Sequence, residues 1–243
     1  MAAATATCRG AANTSRLFDV GANNGAWAAG HLRRHQSTVA YLVEPNPRFV
    51  PELQLLVHRY GATHLPSAAW VEDGEVTFHF SKNDESSSLL RERADKLLPG
   101  KPRPFHCKPP EALDAQLAYT RQTEGWDGVI RRRDGREAVC DRQRSAQVPA
   151  VDLAAFVRRH SCPGDTLTMH LDIEGAEYQV LRRMLELPAA RPGDGAASVA
   201  CTFAAMHIEW HPLGNVSSAR RAESAAARKR LTSELRRCGV SLK

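Results

Sequence analysis

No apolar run in the 243-residue sequence approaches the roughly 20 residues that a membrane-spanning helix needs, so no membrane segment is expected. There is no Cys-x-x-Cys pair and no pair of histidines at finger spacing. The six cysteines, Cys8, Cys107, Cys140, Cys162, Cys201 and Cys238, are scattered. They indicate neither a zinc site nor a disulfide framework, and the compartment expected from them is reducing and cytoplasmic. The first sixteen residues lack any acid and combine Ala, Thr and Ser with Arg9 and Arg16. That is faintly the composition of an organelle transit peptide, but the stretch is short and is read as a disordered segment over 1–16.

What is present fits a folded soluble protein: 42% of residues are hydrophobic and 25% charged. The length suits one α/β domain over 17–243, because two domains would each be undersized. The net charge of +6 is concentrated at the end of the chain. From Gly214 to Lys243 there are eight basic residues against two acidic ones, Glu223 and Glu234, so the remainder is neutral. A basic helix can meet nucleic acid or an acidic partner, but no aromatic residue is interleaved to stack a base, which favours a solvated face.

Leu17-Phe18-Asp19-Val20 reads as a buried strand closed by Gly21, and Gly25 to Arg34 as the helix after it. Val39 to Val43 gives a second strand ending at Glu44, and a helix past Pro45 and Pro47 runs to Tyr60. Ala62 to Leu65 is a third strand, and Glu75 to Phe80, after Asp73-Gly74, one arm of a hairpin. The alternation then lapses into an insertion over 81–147. Pro99 to Pro110 is expected to be irregular there, and Val129-Ile130 and Ala138-Val139 flank Asp134-Gly135 as a second hairpin. It returns with helices over Val151 to His160, Ala176 to Leu187 and Ser218 to Arg237, and strands over Leu167 to Asp172 and Val199 to Trp210. Alternating β and α units with apolar strands predict a doubly wound, mostly parallel Rossmann-like sheet. Gly239 to Leu242 begins a further strand, so one or more edge strands are expected beyond the last residue.

Asp19-Val20-Gly21-Ala22-Asn23-Asn24-Gly25 stands where such a fold binds a cofactor, at the carboxyl end of the first strand beside a helix N-terminus. Glu44, twenty-five residues after Asp19, stands where a carboxylate accepts both ribose hydroxyls. The loop lacks Gly-x-Gly-x-x-Gly spacing, and a carboxylate at Asp19 repels a pyrophosphate while attracting the ammonium and sulfonium of S-adenosylmethionine. S-adenosylmethionine is therefore the expected cofactor.

Phe18 to Gly25, Val43-Glu44-Pro45-Asn46-Pro47, Val148 to Leu153 and Leu171-Asp172-Ile173-Glu174-Gly175-Ala176-Glu177, with Ser87-Ser88-Leu89 and Ile208-Glu209, resemble the FkbM-type methyltransferases. The resemblance runs in order from Phe18 to about His211. It implies a class I methyltransferase in which Asp19, Gly21, Ala22, Asn23 and Gly25 line the methionine end of the cofactor. It further implies that Glu44 holds the ribose, that Ser67 and Ala68 flank the adenine, and that Asp172 faces the transferred methyl. His170 stands where the family usually has a lysine, and the 90–147 stretch is longer than the family would suggest; both bear on acceptor choice.

Methyl transfer to an alcohol needs an in-line approach and a proton acceptor. His170, Asp172 and Glu174 alternate at one strand end, and His207, Glu209 and His211 at the next. If those sides agree, three histidines and three carboxylates converge, enough for a general base or a divalent metal. The reading taken is a metal-free base from Asp172, Glu209 or His211, with His170 and Glu174 as further candidates and His170 and His207 packing locally. Ser86-Ser87-Ser88 is either a loop closing on the cofactor or a polar turn. Arg131-Arg132-Arg133, Tyr119 and Trp126 could grip or stack on an acceptor, but a charged hairpin arm and core packing are the plainer uses. The expected function is O-methylation of a hydroxyl on a small molecule or glycan. The alternatives are a nucleic-acid methyltransferase using the basic tail and a non-catalytic cofactor-binding module.

Overall fold

The computed structural model describes residues 13–79, 88–89, 107–108, 129–131, 137–140, 145–189, 198–212 and 218–243. The apolar run at Leu17 makes β1 (Ser15–Val20), which opens two residues earlier than its apolar core and buries Arg16 as well. Gly25, left-handed at φ 75°, starts α1 (Ala26–Arg34), and β2 (Val39–Val43) follows. Asn46 accepts the N–H of Arg48 across a short turn that Pro47 begins, and α2 (Val50–Tyr60) runs from there to a left-handed Gly61. Three short strands come next, β3 (Thr63–Leu65), β4 (Ala68–Trp70) and β5 (Gly74–His79). β6 (Cys107–Lys108), β7 (Val129–Arg131) and β8 (Glu137–Cys140) form a small sheet of their own.

β9 (Ser145–Asp152) passes directly into α3 (Leu153–Arg159), whose first turn Asp152 caps by accepting from Ala155 N at 3.0 Å. β10 (Thr166–Leu171), α4 (Glu177–Glu186), β11 (Phe203–Ile208), α5 (Ser218–Arg237) and β12 (Ser241–Leu242) complete the chain.

The main sheet runs β12-β11-β10-β1-β2-β3, and each pairing in it is parallel. Strand order reverses beside β1, the switch point at which doubly wound sheets bind ligands. Alternation along β1 divides the core. Leu17 faces α1 and α2, where it packs with Leu32, Leu42, Leu53 and Leu56. Phe18 and Val20 face α3, α4 and α5 with Met169, Leu171, Leu181, Met206 and Leu235. α5 touches this core through Ala227, Leu231 and Leu235 alone of its described apolar side chains, while Arg221, Arg228, Lys229, Arg230, Arg236 and Arg237 are exposed. The basic side chains described on α5 thus lie away from the core.

Four expectations are corrected. β5 does not belong to a local hairpin: it pairs antiparallel with β9, which also pairs parallel with β4 and lies between the two. β9 was hidden because Pro149 lacks an N–H and so argues against a strand with a neighbour on each side, and the helix expected from Val151 begins only at Leu153, after the Asp152 cap. Cys107 and Lys108 pair with Cys140 and Val139 inside the stretch expected to be irregular, since neither residue is proline. Finally, Cys201 and Cys238 form a disulfide that ties the turn before β11 to the end of α5, and Cys162 is disulfide-bonded too. Spacing in sequence cannot reveal a pair that only the fold brings to a Cα separation of 4.9 Å. The cysteines therefore no longer argue for a reducing compartment. The second hairpin is present as β7 and β8, with Ile130 opposite Ala138, and the strand begun at the chain's end is β12 beside β11.

Phe18 is fully buried, stacked on Tyr41 at 5.1 Å and edge-on to Phe156 and Phe203. Phe18→Ala should lower the unfolding free energy by about 3–5 kcal/mol, read from urea denaturation.

Candidate functional site

The carboxyl ends of the strands are knitted together by backbone. Gly21 N and Ala22 N both donate to Val43 O, Asp172 N to Val20 O, and Glu209 N to Leu171 O at 2.9 Å. A Cβ on Gly21 would fall 1.8 Å from the carbonyl oxygen of Asp172, and the residue sits at φ +77°. Only glycine fits there. The approach closes the floor of a pocket lined by Gly21, Asn23, Glu44, Ala68, Asp172 and Glu174, with Val43, Pro45, Ala69, Phe78, Leu89 and Ile173 completing its walls.

Asp19, Ala22, Gly25 and Ser67, also expected at a cofactor, are not among the lining residues. Ala22 is buried in the core beneath α1 and α2. A Cβ on Gly25 would meet Leu56 at 2.6 Å, so its lack of a side chain serves helix packing. Ser67 is buried next to the two alanines that do line the wall.

Glu44 ends β2 with its carboxylate buried. Oε2 accepts from Asn23 N at 2.9 Å and Oε1 from Asn46 N at 2.7 Å, so the same group shapes the glycine loop and the Pro-rich turn. Burial pushes its pKa from the ordinary 4.5 to about 7; the two backbone donors oppose the shift, and the charges of Asp19 and Asp172 add to it.

Asp19 is fully buried and sits opposite His170 in the β1–β10 register. The Nδ1 of His170 donates to its Oδ1 at 2.7 Å, while Oδ2, equally enclosed, has no hydrogen-bond partner. His170 is covered on one face by Trp27 of α1, which stacks on it at 4.5 Å and 4° and itself meets His207 edge-on at 5.1 Å. Burial lowers the pKa of His207, with Lys243 and His170 adding to the effect, and burial likewise lowers that of His31 on the same helix. The six-residue convergence considered from sequence spacing does not form. His170 and His207 pack beneath α1 as local structure.

Of the remaining four, Asp172, Glu174 and His211 gather around the turn after β10. Glu174 lies past the strand end, left-handed at φ 53°, and its carbonyl accepts from the hydroxyl of Ser88 at 2.8 Å. His211 Nδ1 lies 3.8 Å from Asp172 Oδ1, and His211 Nε2 lies 3.7 Å from Glu174 Oε1. Burial raises the pKa of Asp172 to about 6, helped by the charges of Glu209 and Glu174 and opposed by His211 and His170. Burial works against a charged His211, but the hydrogen bond and charge of Glu177, with Glu174 and Asp172, outweigh it and raise its pKa. Glu209 itself is exposed.

A methyltransferase FkbM domain matches residues 19–239, from the aspartate near the end of β1 to the turn before β12. The chain belongs to the FkbM methyltransferase family. No curated protein matches it, and no solved structure does. Three of the four segments that carried the likeness meet at the carboxyl ends of β1, β2 and β10 in this FkbM sheet, and the fourth, Val148 to Leu153, runs through β9 of the smaller sheet into α3.

Two residues important to the site's geometry were not singled out from sequence. Glu177, fully buried, accepts from Ile173 N, Gly175 N and His211 Nδ1, and so holds the turn and the histidine together. A glutamate three residues after Glu174 at a helix start was the available signal. Trp27, four residues before His31 on α1, carried none, because its partner His170 is distant in sequence.

The raised pKa of Glu44 sets a sign for stability. Its contribution is complete below about 4.5 and is lost as pH rises through about 7, because ionising the buried carboxyl disfavours the folded state. Glu44→Gln sets an amide against backbone N–H groups, and should be less stable than the parent by a margin that shrinks as the pH is raised across that window. Urea denaturation of both proteins at its two ends measures the change.

Proposed function

We propose that this FkbM methyltransferase uses S-adenosylmethionine and methylates a hydroxyl of a small molecule or glycan. The observation that carries the reading is that Asp172 and Glu174 line the same pocket as Gly21 and Glu44. Groups able to take a proton thus stand against the wall expected to hold a nucleoside.

The residues suit the cofactor's charge. Asp19, fully buried and behind the lining of the pocket, keeps one carboxylate oxygen unpartnered at the switch point, and a negative charge there suits an ammonium or sulfonium and not a pyrophosphate. When bound, the cofactor supplies a methyl group on a cationic sulfur. Glu44 accepts hydrogen bonds from the ribose hydroxyls through lone pairs that its two backbone donors leave free. Ala68 and Ala69, with Phe78 and Leu89 beyond them, give the adenine an apolar wall. Leu89 follows Ser88, which is buried and anchored to Glu174, while Ser86 and Ser87 lie outside the described residues.

On the acceptor side Asp172, Glu209 and His211 are the candidates to receive the hydroxyl proton. A carboxylate pushed up by burial is a stronger base than one in water and remains mostly ionised at neutral pH. Orientation supplies the rest of the rate, since displacement at a methyl needs collinear attack.

Calorimetry with S-adenosylmethionine tests the cofactor, and the absence of binding heat from folded protein would remove the proposal. Asp19→Asn should weaken that binding by about tenfold or more, since one lost charge interaction of ~1.4 kcal/mol suffices. Asp172→Asn should bind the cofactor within about twofold and lower turnover by about a hundredfold or more. Turnover is read with labelled cofactor against a panel of hydroxylated acceptors.

A further inference from the structure

We propose that Asp172, Glu174 and His211 form a binding site for one divalent cation of the magnesium or manganese class. This reverses the metal-free reading of the sequence. It rests on the proposed methyl transfer only for the cation's purpose, not for its binding.

One ligand atom from each of the three residues lies within 4.8 Å of the others. Bonds of about 2.1 Å at right angles place neighbouring ligand atoms about 3 Å apart, so the observed 3.7 Å between His211 Nε2 and Glu174 Oε1 needs only slight closing. Two carboxylates and one imidazole leave the remaining positions of an octahedron to water or substrate oxygen, and carboxylate oxygens suit hard cations.

Two observations outside the trio's own spacing point to a ligand. Asp172 is only partly buried, but its Oδ1 is shielded from solvent and makes no hydrogen bond, its charged neighbour being His211 Nδ1 at 3.8 Å, too far to satisfy it. His211 is also oriented as metal-bound histidines are: Nδ1 donates to the fully buried Glu177 at 2.9 Å, which fixes the tautomer and leaves Nε2 directed toward Glu174. Glu177 is held by the backbone N–H groups of Ile173 and Gly175, so the orienting carboxylate is itself immobile.

Because Asp172 and Glu174 line the pocket, the cation would present an open position to an acceptor hydroxyl. It would orient that oxygen for collinear attack on the methyl.

The test is a titration of Mn²⁺ into the full chain without cofactor, following the electron paramagnetic resonance signal of the free ion. One equivalent should disappear from the free signal, and Mn²⁺ should raise the melting temperature. Glu174→Gln and His211→Gln should each weaken binding by at least tenfold and lose the thermal shift, whereas Glu52→Gln, on α2, should keep both. No loss of free signal in the parent chain overturns the proposal, as does binding that survives Glu174→Gln. If either site variant fails to fold, the other decides, and the parent titration stands alone as a refutation when negative. Manganese binding without methyl transfer would sink the enzymatic reading and leave the site. Methyl transfer undiminished by a chelator, with no Mn²⁺ bound, would do the reverse.

Discussion

The carbonyl oxygen of Asp172 occupies the place where any residue other than glycine at position 21 would carry its Cβ. That approach fixes the end of β1 against the end of β10, and the rest of the site follows from it. With Gly21 and Ala22 both donating to Val43, the end of β2 is drawn in as well, so three strand ends meet at one point. Glu44 then reaches back to Asn23 and forward to Asn46, and the loop between β1 and α1 is held by a side chain from the next strand. A pocket built this way is largely pre-formed, because its walls are backbone and buried carboxylate and not long flexible side chains.

Two histidine and carboxylate pairs flank that point, and their surroundings separate their uses. His170 with Asp19 lies under the ring of Trp27, where it holds one oxygen of a buried acid. His211 with Glu177 lies on the pocket side, facing Asp172 and Glu174. Both pairs use Nδ1, yet the first spends its imidazole on structure while the second leaves a ring nitrogen toward groups that can act on a ligand. The raised pKa values of Glu44 and Asp172 have one origin, the low polarity of this strand edge, which disfavours charge until a partner enters.

Much of the fold was legible in the sequence. β1, α1, β2, α2, β10, α4 and α5 announced themselves by apolar period and by Gly or Pro at their ends, since these signals are local. The elements that were missed depended on distant partners. β9 carries Pro149 and makes sense as a strand only between β4 and β5, and the disulfide between Cys201 and Cys238 spans β11 and α5. At the site, period-two spacing placed His170, Asp172 and Glu174 on one side of a strand, but the strand stops at Leu171 and that parity stops with it.

The sequence by itself determined the family, the parallel α/β order, and a glycine loop and acidic residue at the ends of the first two strands, because each is written in short contiguous segments. Only the tertiary structure decided which acids share a wall, that Asp19 answers to His170, and that Glu177 steers His211 toward Glu174. Those relations are distances between separate segments, and they exist only once the close passage of Gly21 and Asp172 has brought the segments together.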